Sequence, residues 1–229
     1  YGIRSSILWL PDAFGYPASL PQIMKRSGID YFFTTKISIN QFTRFPYHSF
    51  YWEGIDGSRV LAHLLPNEEY SSEMEPWLIR MGENDYVEKD RSPVQMLLYG
   101  RGDGGGGPSR DHLERLNRYR DFEGLPKIES GSPEYFFHQL ERESRNLRRW
   151  VGELYLELHR GTYTTQAYTK KCNRQAEFQL REAEILSSLN MLCGGRYEQK
   201  RINDAWKLVL LNQFHDIIPG SSIDEVYVE

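Results

Sequence analysis

The sequence is short of several features that would mark particular classes of protein. It contains two cysteines, Cys172 and Cys193, which lie far apart and form no metal-type pair. A disulfide framework is therefore not expected, and a reducing compartment is favoured. No Asn-x-Ser/Thr sequon occurs, and no apolar run approaches the roughly 18 residues of a membrane-spanning helix. The formal net charge of -4 provides no strong field for nucleic acid or an anionic membrane.

An initiator methionine and a signal peptide are also missing, and the chain starts within a strand-like pattern. We therefore expect this chain to be part of a longer protein. Its 229 residues, 39% hydrophobic and 26% charged, are typical of a globular protein with one large or two small domains. Aromatic residues reach 14% and can either fill a core or stack on sugar rings.

Short apolar runs alternate with helical stretches over residues 1–130. The runs predict strands at 7–10, 31–36, 59–65 and 94–100, and helices are predicted at 20–28, 109–120 and 132–144. This alternation predicts an α/β class with a largely parallel sheet covered by helices. Helical spacing then continues over 165–192 and 199–215, as in a helical bundle. We place the domain boundary near residue 150, between domains 1–150 and 151–229.

Two acidic residues follow predicted strands, where functional side chains of α/β folds gather. Asp12 comes one proline after the strand "ILWL", and its carboxylate could be a nucleophile, a base or a metal ligand, or it could cap a turn. Asp103 lies in "GRGDGGGGPS" after the strand at 94–100. That loop lacks the spacing of a phosphate-binding loop, and it could also be a solvated turn.

Two further clusters carry polar side chains in the second half. His215 and Asp216 end an apolar helix in "LLNQFHDIIPGSS", where the imidazole could bind a metal or could interact with the helix dipole. The segment "GELYLELHRGTYT" (152–164) alternates leucines with polar residues and predicts a strand followed by His159. Its polar face could bind hydroxyls or could be a solvated edge.

Together, these stretches resemble glycoside hydrolase family 38, the class II α-mannosidases. The resemblance rests on "LWLPDAFGY", "LPQIMKRSGIDYFFTTKIS", "FYWEGIDGSRVLAH", "YGRGDGGGGPS", "WVGELYLELHRGTYTTQA" and "LLNQFHDIIPGSS", and it covers essentially the whole chain. The glycine-rich loop and the "GELYLELHRGTYTT" run are most similar to the cytosolic, vacuolar and bacterial branch. The resemblance implies part of a parallel-sheet, (β/α) barrel-like catalytic domain followed by a helical-bundle middle domain.

The family further implies a retaining α-mannosidase with one zinc ion, acting on mannose-containing oligosaccharides in the cytoplasm, or in the vacuole of a fungus. By the resemblance, Asp12 is nucleophile and zinc ligand, Asp103 the general acid/base and His215 a zinc ligand. Asp216, Phe14, Lys36 and His159 are implied in substrate binding, and relatives often form homo-oligomers.

The chain departs from the family in one respect. The remaining zinc ligands of the family come from a His-x-Asp motif, which occurs nowhere in this chain. Because a catalytic zinc usually takes three protein ligands, we expect the chain alone to bind zinc poorly and to hydrolyse little. Two other hypotheses stay open: a zinc-dependent hydrolase that activates water, and a non-catalytic module that binds carbohydrate or a protein partner.

Overall fold

The computed structural model describes Gly2 and residues 4–228, which divide into two compact units. The first unit extends to Leu158, and the second begins at His159. The division falls beyond the predicted boundary near residue 150. The reason is that Leu154 and Leu156 are buried in the core of the first unit.

A five-stranded mixed sheet forms the first unit, in the order β1-β2-β4-β3-β5. The strands are β1 (Ile7–Trp9), β2 (Tyr31–Thr34), β3 (Ser49–Glu53), β4 (Arg59–Leu64) and β5 (Arg148–Val151). Strands β1, β2 and β4 run parallel, as the sequence predicts, and β5 is parallel to β3. Strand β3 is antiparallel to β4 because a tight turn joins them, with Gly57 at φ +82° and the Asp56 carboxylate accepting from Ser58 N.

Four helices accompany the sheet: α1 (Leu20–Arg26), α2 (Pro76–Asp85), α3 (Arg110–Tyr119) and α4 (Pro133–Glu143). The serine before each of α3 and α4 accepts a hydrogen bond from a backbone N–H of the first turn, which stabilises the start of the helix. Helix α1 is followed by Gly28 at φ +76°, the conformation expected of a glycine after a helix. Helix α2 was not predicted, since no side chain caps it.

The central strands β2 and β4 are buried on both faces, which explains their continuous apolar runs. Phe32 and Trp52 belong to one core cluster, while Phe33 and Leu61 belong to a second one with Phe137 of α4. Adjacent residues of β2 therefore point to opposite faces, as strand geometry requires. The predicted α/β class is confirmed.

Two predicted strands are wrong. Residues 94–98 form no strand, because the backbone N–H of Met96 donates to the ring Nε2 of His63 at 3.3 Å rather than to a neighbouring strand. Only Tyr99 makes an isolated bridge, with Ser72. In 152–164, Leu154 alone pairs, in a bridge with Tyr16, although the alternation correctly predicts the burial of Leu154 and Leu156.

The second unit contains the two predicted helices, α5 (Ala167–Leu192) and α6 (Gln199–Asn212), and 3₁₀ helices at Arg160–Tyr163 and Asp224–Tyr227. Hydrogen bonds join Trp206 to Glu184 and Gln213 to Asn173, so the two helices run antiparallel. In the part of the chain that the structure describes, no helix combines the length and the apolar character needed to cross a membrane.

Candidate active site

Three parallel strands bring polar side chains to one edge of the sheet. Asp12 follows β1, Lys36 follows β2 and Tyr70 follows β4. Because the carboxyl ends of parallel strands meet at one edge, residues far apart in sequence become neighbours there. This edge is the candidate active site.

The loop that carries Asp12 is fixed by hydrogen bonds on both sides. Leu10 N donates to Phe33 O at 3.0 Å, and Thr35 N donates to Pro11 O at 3.2 Å. The buried Tyr16 hydroxyl donates to Leu10 O at 2.7 Å and lies 2.6 Å from Thr34 Oγ1. Burial, with a smaller contribution from the negative charge of Asp12, raises the pKa of Tyr16 to about 12 against the opposing hydrogen bond from Thr34. The hydroxyl therefore stays protonated and keeps donating to the loop.

Lys36, which the resemblance implies in substrate binding, forms an ion pair with Asp12. Its Nζ lies 3.0 Å from Asp12 Oδ1 and also lies over the rings of Tyr70 and Phe14, at 5.2 and 6.0 Å from their centroids. Burial lowers the pKa of Lys36, but the hydrogen bond and the charge of Asp12 outweigh it, so the net shift is upward. Lys36 is thus a fixed cation between a carboxylate and two aromatic faces.

The hydroxyl of Tyr70 connects Asp12 to Asp103. It lies 3.5 Å from Asp12 Oδ1 and 3.2 Å from Asp103 Oδ1, so these two oxygens are at most 6.7 Å apart. Burial, followed by the charge of Asp12, raises the pKa of Tyr70, so the phenol is a hydrogen-bond donor at neutral pH.

Tyr70 was missed by the sequence analysis. The signal was available, because "NEEY" (67–70) follows the predicted strand at 59–65 in the same way that Asp12 follows β1. Of the predicted site residues, the structure brings together Asp12, Phe14, Lys36 and Asp103.

The other predicted residues, His159, His215 and Asp216, belong to the second unit. His159 is exposed, has φ +58° and precedes the 3₁₀ helix Arg160–Tyr163. The exposed His215 has its Nε2 3.8 Å from Asp216 Oδ1, and its ring centroid is 4.3 Å from that of Phe214. His215 and Asp216 lie beyond the end of α6 at Asn212, since the helix stops three residues before the predicted position 215.

Some polar residues of the predicted strand at 152–164 hold a neighbouring loop of the first unit in place. The Glu157 carboxylate accepts hydrogen bonds from Phe42 N and Thr43 N, both at 2.8 Å. Asn40 donates to Tyr155 O and accepts from Glu157 N, both at 2.9 Å. This face therefore fixes the 40–43 loop.

The residues present do not form a zinc site by themselves. Among Gly2 and residues 4–228, no group of three or more His, Cys, Asp or Glu side chains is arranged to hold a metal ion. In the first unit, Asp12 is the predicted ligand, and Lys36 already contacts its Oδ1. Because a catalytic zinc takes three protein ligands, the described residues do not fit a complete site, and the chemistry below uses this chain's side chains alone.

A pair of carboxylates at the edge of an α/β sheet, with oxygens no more than 6.7 Å apart, matches the two-carboxylate arrangement of glycoside hydrolases. Residues 1–153 match the family described as "Glycosyl hydrolases family 38 N-terminal domain", and residues 157–229 match "Alpha mannosidase middle domain". The chain belongs to glycoside hydrolase family 38.

Individual relatives agree with this assignment. The chain is 47% identical over 227 residues to "Alpha-mannosidase G" of Dictyostelium discoideum, covering 99% of this chain and 21% of that protein. It is 46% identical to human "Alpha-mannosidase 2C1", covering 100% of this chain and 22% of the relative. The chain thus spans about a fifth of the length of these relatives.

The fold matches a solved structure as well. The crystal structure of an alpha-mannosidase from Enterococcus faecalis V583 superimposes with a TM-score of 0.73 at 23% identity. The match covers 99% of this chain and 27% of that one. This likeness supports the fold of the chain.

Proposed function

We propose that this chain is part of a retaining α-mannosidase that removes terminal α-linked mannose from glycans or oligosaccharides. The observation that carries the proposal is the hydroxyl of Tyr70 between Asp12 and Asp103, which limits their facing oxygens to 6.7 Å. Retaining glycosidases hold their two carboxyl groups about 5–5.5 Å apart, whereas inverting enzymes need about 6.5–9.5 Å. The upper limit on this oxygen–oxygen distance supports the retaining arrangement over the inverting one.

In the proposed mechanism, Asp12 attacks the anomeric carbon and forms a glycosyl-enzyme. Asp103 donates a proton to the departing oxygen and then takes one from the water that hydrolyses the intermediate. Lys36 and Tyr70 both approach Oδ1 of Asp12, which fixes the rotation of the carboxylate about its Cβ–Cγ bond. A nucleophile held in one orientation loses little entropy on reaching the transition state.

The substrate side of the site follows from the exposed face around Asp12. Phe14 is half exposed and offers an apolar surface to one face of a sugar ring. Lys36 can also bind a sugar hydroxyl, since its ammonium group has three donors. We assign Asp216 and His159 to substrate contacts on the strength of the family motif.

We propose further that the longer protein holds one zinc ion. Asp12 and His215 would supply two ligands, and residues outside this chain would supply the rest. Such an ion would supply Lewis-acid polarisation and a fixed positive charge. We propose a cytoplasmic location, with which the free thiols of Cys172 and Cys193 are compatible. We also propose a homo-oligomeric assembly and a mannosyl oligosaccharide as substrate.

The test uses the full-length protein that contains this chain, beside an Asp12→Asn variant. We expect one zinc per protein by elemental analysis, hydrolysis of an aryl α-mannoside and retention of anomeric configuration in the first product. Asp12→Asn should lose at least about 10³-fold in kcat, since it removes the nucleophile.

A 2-fluoro mannosyl fluoride, which slows the second step, should leave a covalent sugar on Asp12. A full-rate Asp12→Asn variant, or an inverted product, would refute the proposal. A retained product without a trapped sugar on Asp12 would move the nucleophile to another residue.

A further inference from the structure

The glycine-rich loop that carries Asp103 (residues 100–107, the glycine loop) is joined at both ends to residues 70–74. At its start, Tyr99 bridges to Ser72, and Gly100 N donates to Ser72 O at 3.2 Å. Beyond its end, the buried His112 has its Nε2 2.9 Å from Glu73 Oε2. Arg115 of the same helix donates to the carbonyl oxygen of Glu73. The two ends of the glycine loop are therefore fixed to neighbouring residues of one segment.

The middle of the glycine loop lies directly on the same segment. A Cβ added to Gly102 would lie 3.0 Å from Ser71 Cβ and 3.1 Å from Tyr70 Cε2, which is closer than ordinary carbon contacts allow. Gly102 does not have a positive φ, so glycine is needed here for close approach rather than for conformation. The next residue is Asp103, which accepts from the Tyr70 hydroxyl at 3.2 Å.

Residues 70–74 are themselves held firmly. The backbone N–H and the hydroxyl of Ser71 donate to Glu69 Oε1 at 2.7 and 2.8 Å. Met74 is fully buried, and its N–H donates to Ser72 Oγ at 2.8 Å. A loop attached to this segment at three points is held in a fixed position relative to the segment.

We infer that residues 70–74 are a positioning platform for the proton donor, and that Tyr70 sets the distance between Asp103 and Asp12. Its one hydroxyl lies within 3.5 Å of an oxygen of each carboxylate and donates to one of them at a time. This inference rests on the proposed α-mannosidase function and adds a positioning role for two residues, Tyr70 and Gly102. A leaving oxygen can take a proton in the transition state only when the donor is within hydrogen-bond reach. Docking at Gly102 therefore controls how well poor leaving groups are expelled, and Tyr70 controls both carboxylates.

The experiment compares Gly102→Ala with Gly104→Ala in the full-length protein. Gly104 is the matched control, since it lies in the same loop, has no positive φ and has no atom within 4 Å of an added Cβ. Substrates are aryl α-mannosides whose leaving groups range from dinitrophenol to unsubstituted phenol, and an α-linked mannobiose. We measure kcat and KM separately for each, with thermal unfolding as a check on folding.

We expect Gly102→Ala to lower kcat about tenfold for mannobiose and for phenyl mannoside, because the loop must move by a few tenths of an ångström. For the dinitrophenyl substrate, kcat/KM reports on a first step that needs no proton, and it should change less than about twofold. Its kcat can fall, because Asp103 must still take a proton from water in the second step. Gly104→Ala should match the parent on every substrate. Tyr70→Phe should lower kcat on all substrates, and most on the poor leaving groups.

A second variant protects the test against a change in folding. Ser71→Gly removes the Cβ and the Oγ of Ser71, two of the three atoms that an alanine at 102 would meet, and leaves Tyr70 Cε2. Gly102→Ala with Ser71→Gly should therefore recover part of the mannobiose rate. Equal kcat values for Gly102→Ala and Gly104→Ala across the series would overturn the inference. So would a uniform loss of kcat/KM on all substrates that Ser71→Gly does not rescue. Both results differ from a failure of the proposed function, in which the parent protein would hydrolyse no α-mannoside.

Discussion

Replacing Tyr16 with phenylalanine tests how the loop that carries Asp12 is held. The Tyr16 hydroxyl donates to Leu10 O at 2.7 Å and is within 2.6 Å of Thr34 Oγ1, so Thr34 donates to Tyr16 in turn. Thr34 is completely buried, and the variant leaves its hydroxyl without an acceptor. A buried polar group left unpaired costs about 1–3 kcal/mol, so we expect a local loss of about 2 kcal/mol.

Amide hydrogen exchange measures this loss in the intact protein. The N–H of Tyr16 bonds Leu154 O, and the N–H of Thr35 bonds Pro11 O, so both report on the loop that contains Asp12. A loss of 2 kcal/mol corresponds to about 30-fold faster exchange at these amides. We expect kcat on an aryl α-mannoside to fall at the same time, because Asp12 samples more orientations.

Tyr31→Phe is the matched control. Its hydroxyl donates to Glu141 Oε2 at 2.9 Å, on a helix that carries none of the predicted site residues. This variant should leave both exchange at Tyr16 and kcat unchanged. If Tyr16→Phe exchanges at these amides as slowly as the parent, the hydroxyl does not hold the loop, and its packing against Phe32 must be sufficient.

Three further predictions concern separate parts of the first unit. Lys36→Met should lower kcat/KM on an activated aryl α-mannoside about 10- to 100-fold, because it removes the positive charge beside Asp12. Lys36→Arg keeps that charge and should keep most of the kcat/KM. Equal kcat/KM values for the two variants would contradict the role of the charge. Burial lowers the pKa of His48 to about 4, and the charge of Asp85 opposes this shift only in part. The stability that depends on a neutral His48 is therefore complete above about pH 6.5. It is lost as the pH falls towards 4, by about 1.4 kcal/mol per pH unit, because the unfolded chain takes up the proton first. Thermal unfolding between pH 7 and 4 should therefore be less pH-dependent in His48→Gln, and an identical profile would refute this. Trp52→Phe removes buried ring atoms and the indole N–H that donates to Gly152 O at 2.7 Å. It should lower the free energy of unfolding, measured by thermal unfolding, by about 2–3 kcal/mol. A loss below about 0.5 kcal/mol would show that the surrounding side chains repack.

Sequence patterns located the parts of the fold whose stability is local or strongly apolar. Strands β1, β2 and β4 were found because both faces of the sheet are covered, so each strand is a continuous apolar run. Strand β5 was missed because its residues, "RRWV", are mostly exposed. What holds β5 is pairing with β3 and the ion pair of Arg149 with Glu53 at 3.1 Å, both of which depend on residues nearly a hundred positions away. No local pattern records such a partner.

In the candidate site, too, local features are predictable from the sequence and long-range contacts are not, and the glycine loop is the clearest example. A run of glycines predicts freedom of the backbone, and the sequence alone suggests a mobile loop around Asp103. The structure separates two reasons for glycine within that run. Gly105 needs it for a positive φ of +63°, whereas at Gly102 a Cβ would come within 3.0–3.1 Å of side-chain atoms of Tyr70 and Ser71 and would force a small shift. The first reason concerns backbone conformation and the second concerns close contact, yet in the sequence both appear simply as glycine. A glycine of the second kind restricts its loop rather than freeing it, so Asp103 can be a well-placed proton donor in the most glycine-rich part of the chain.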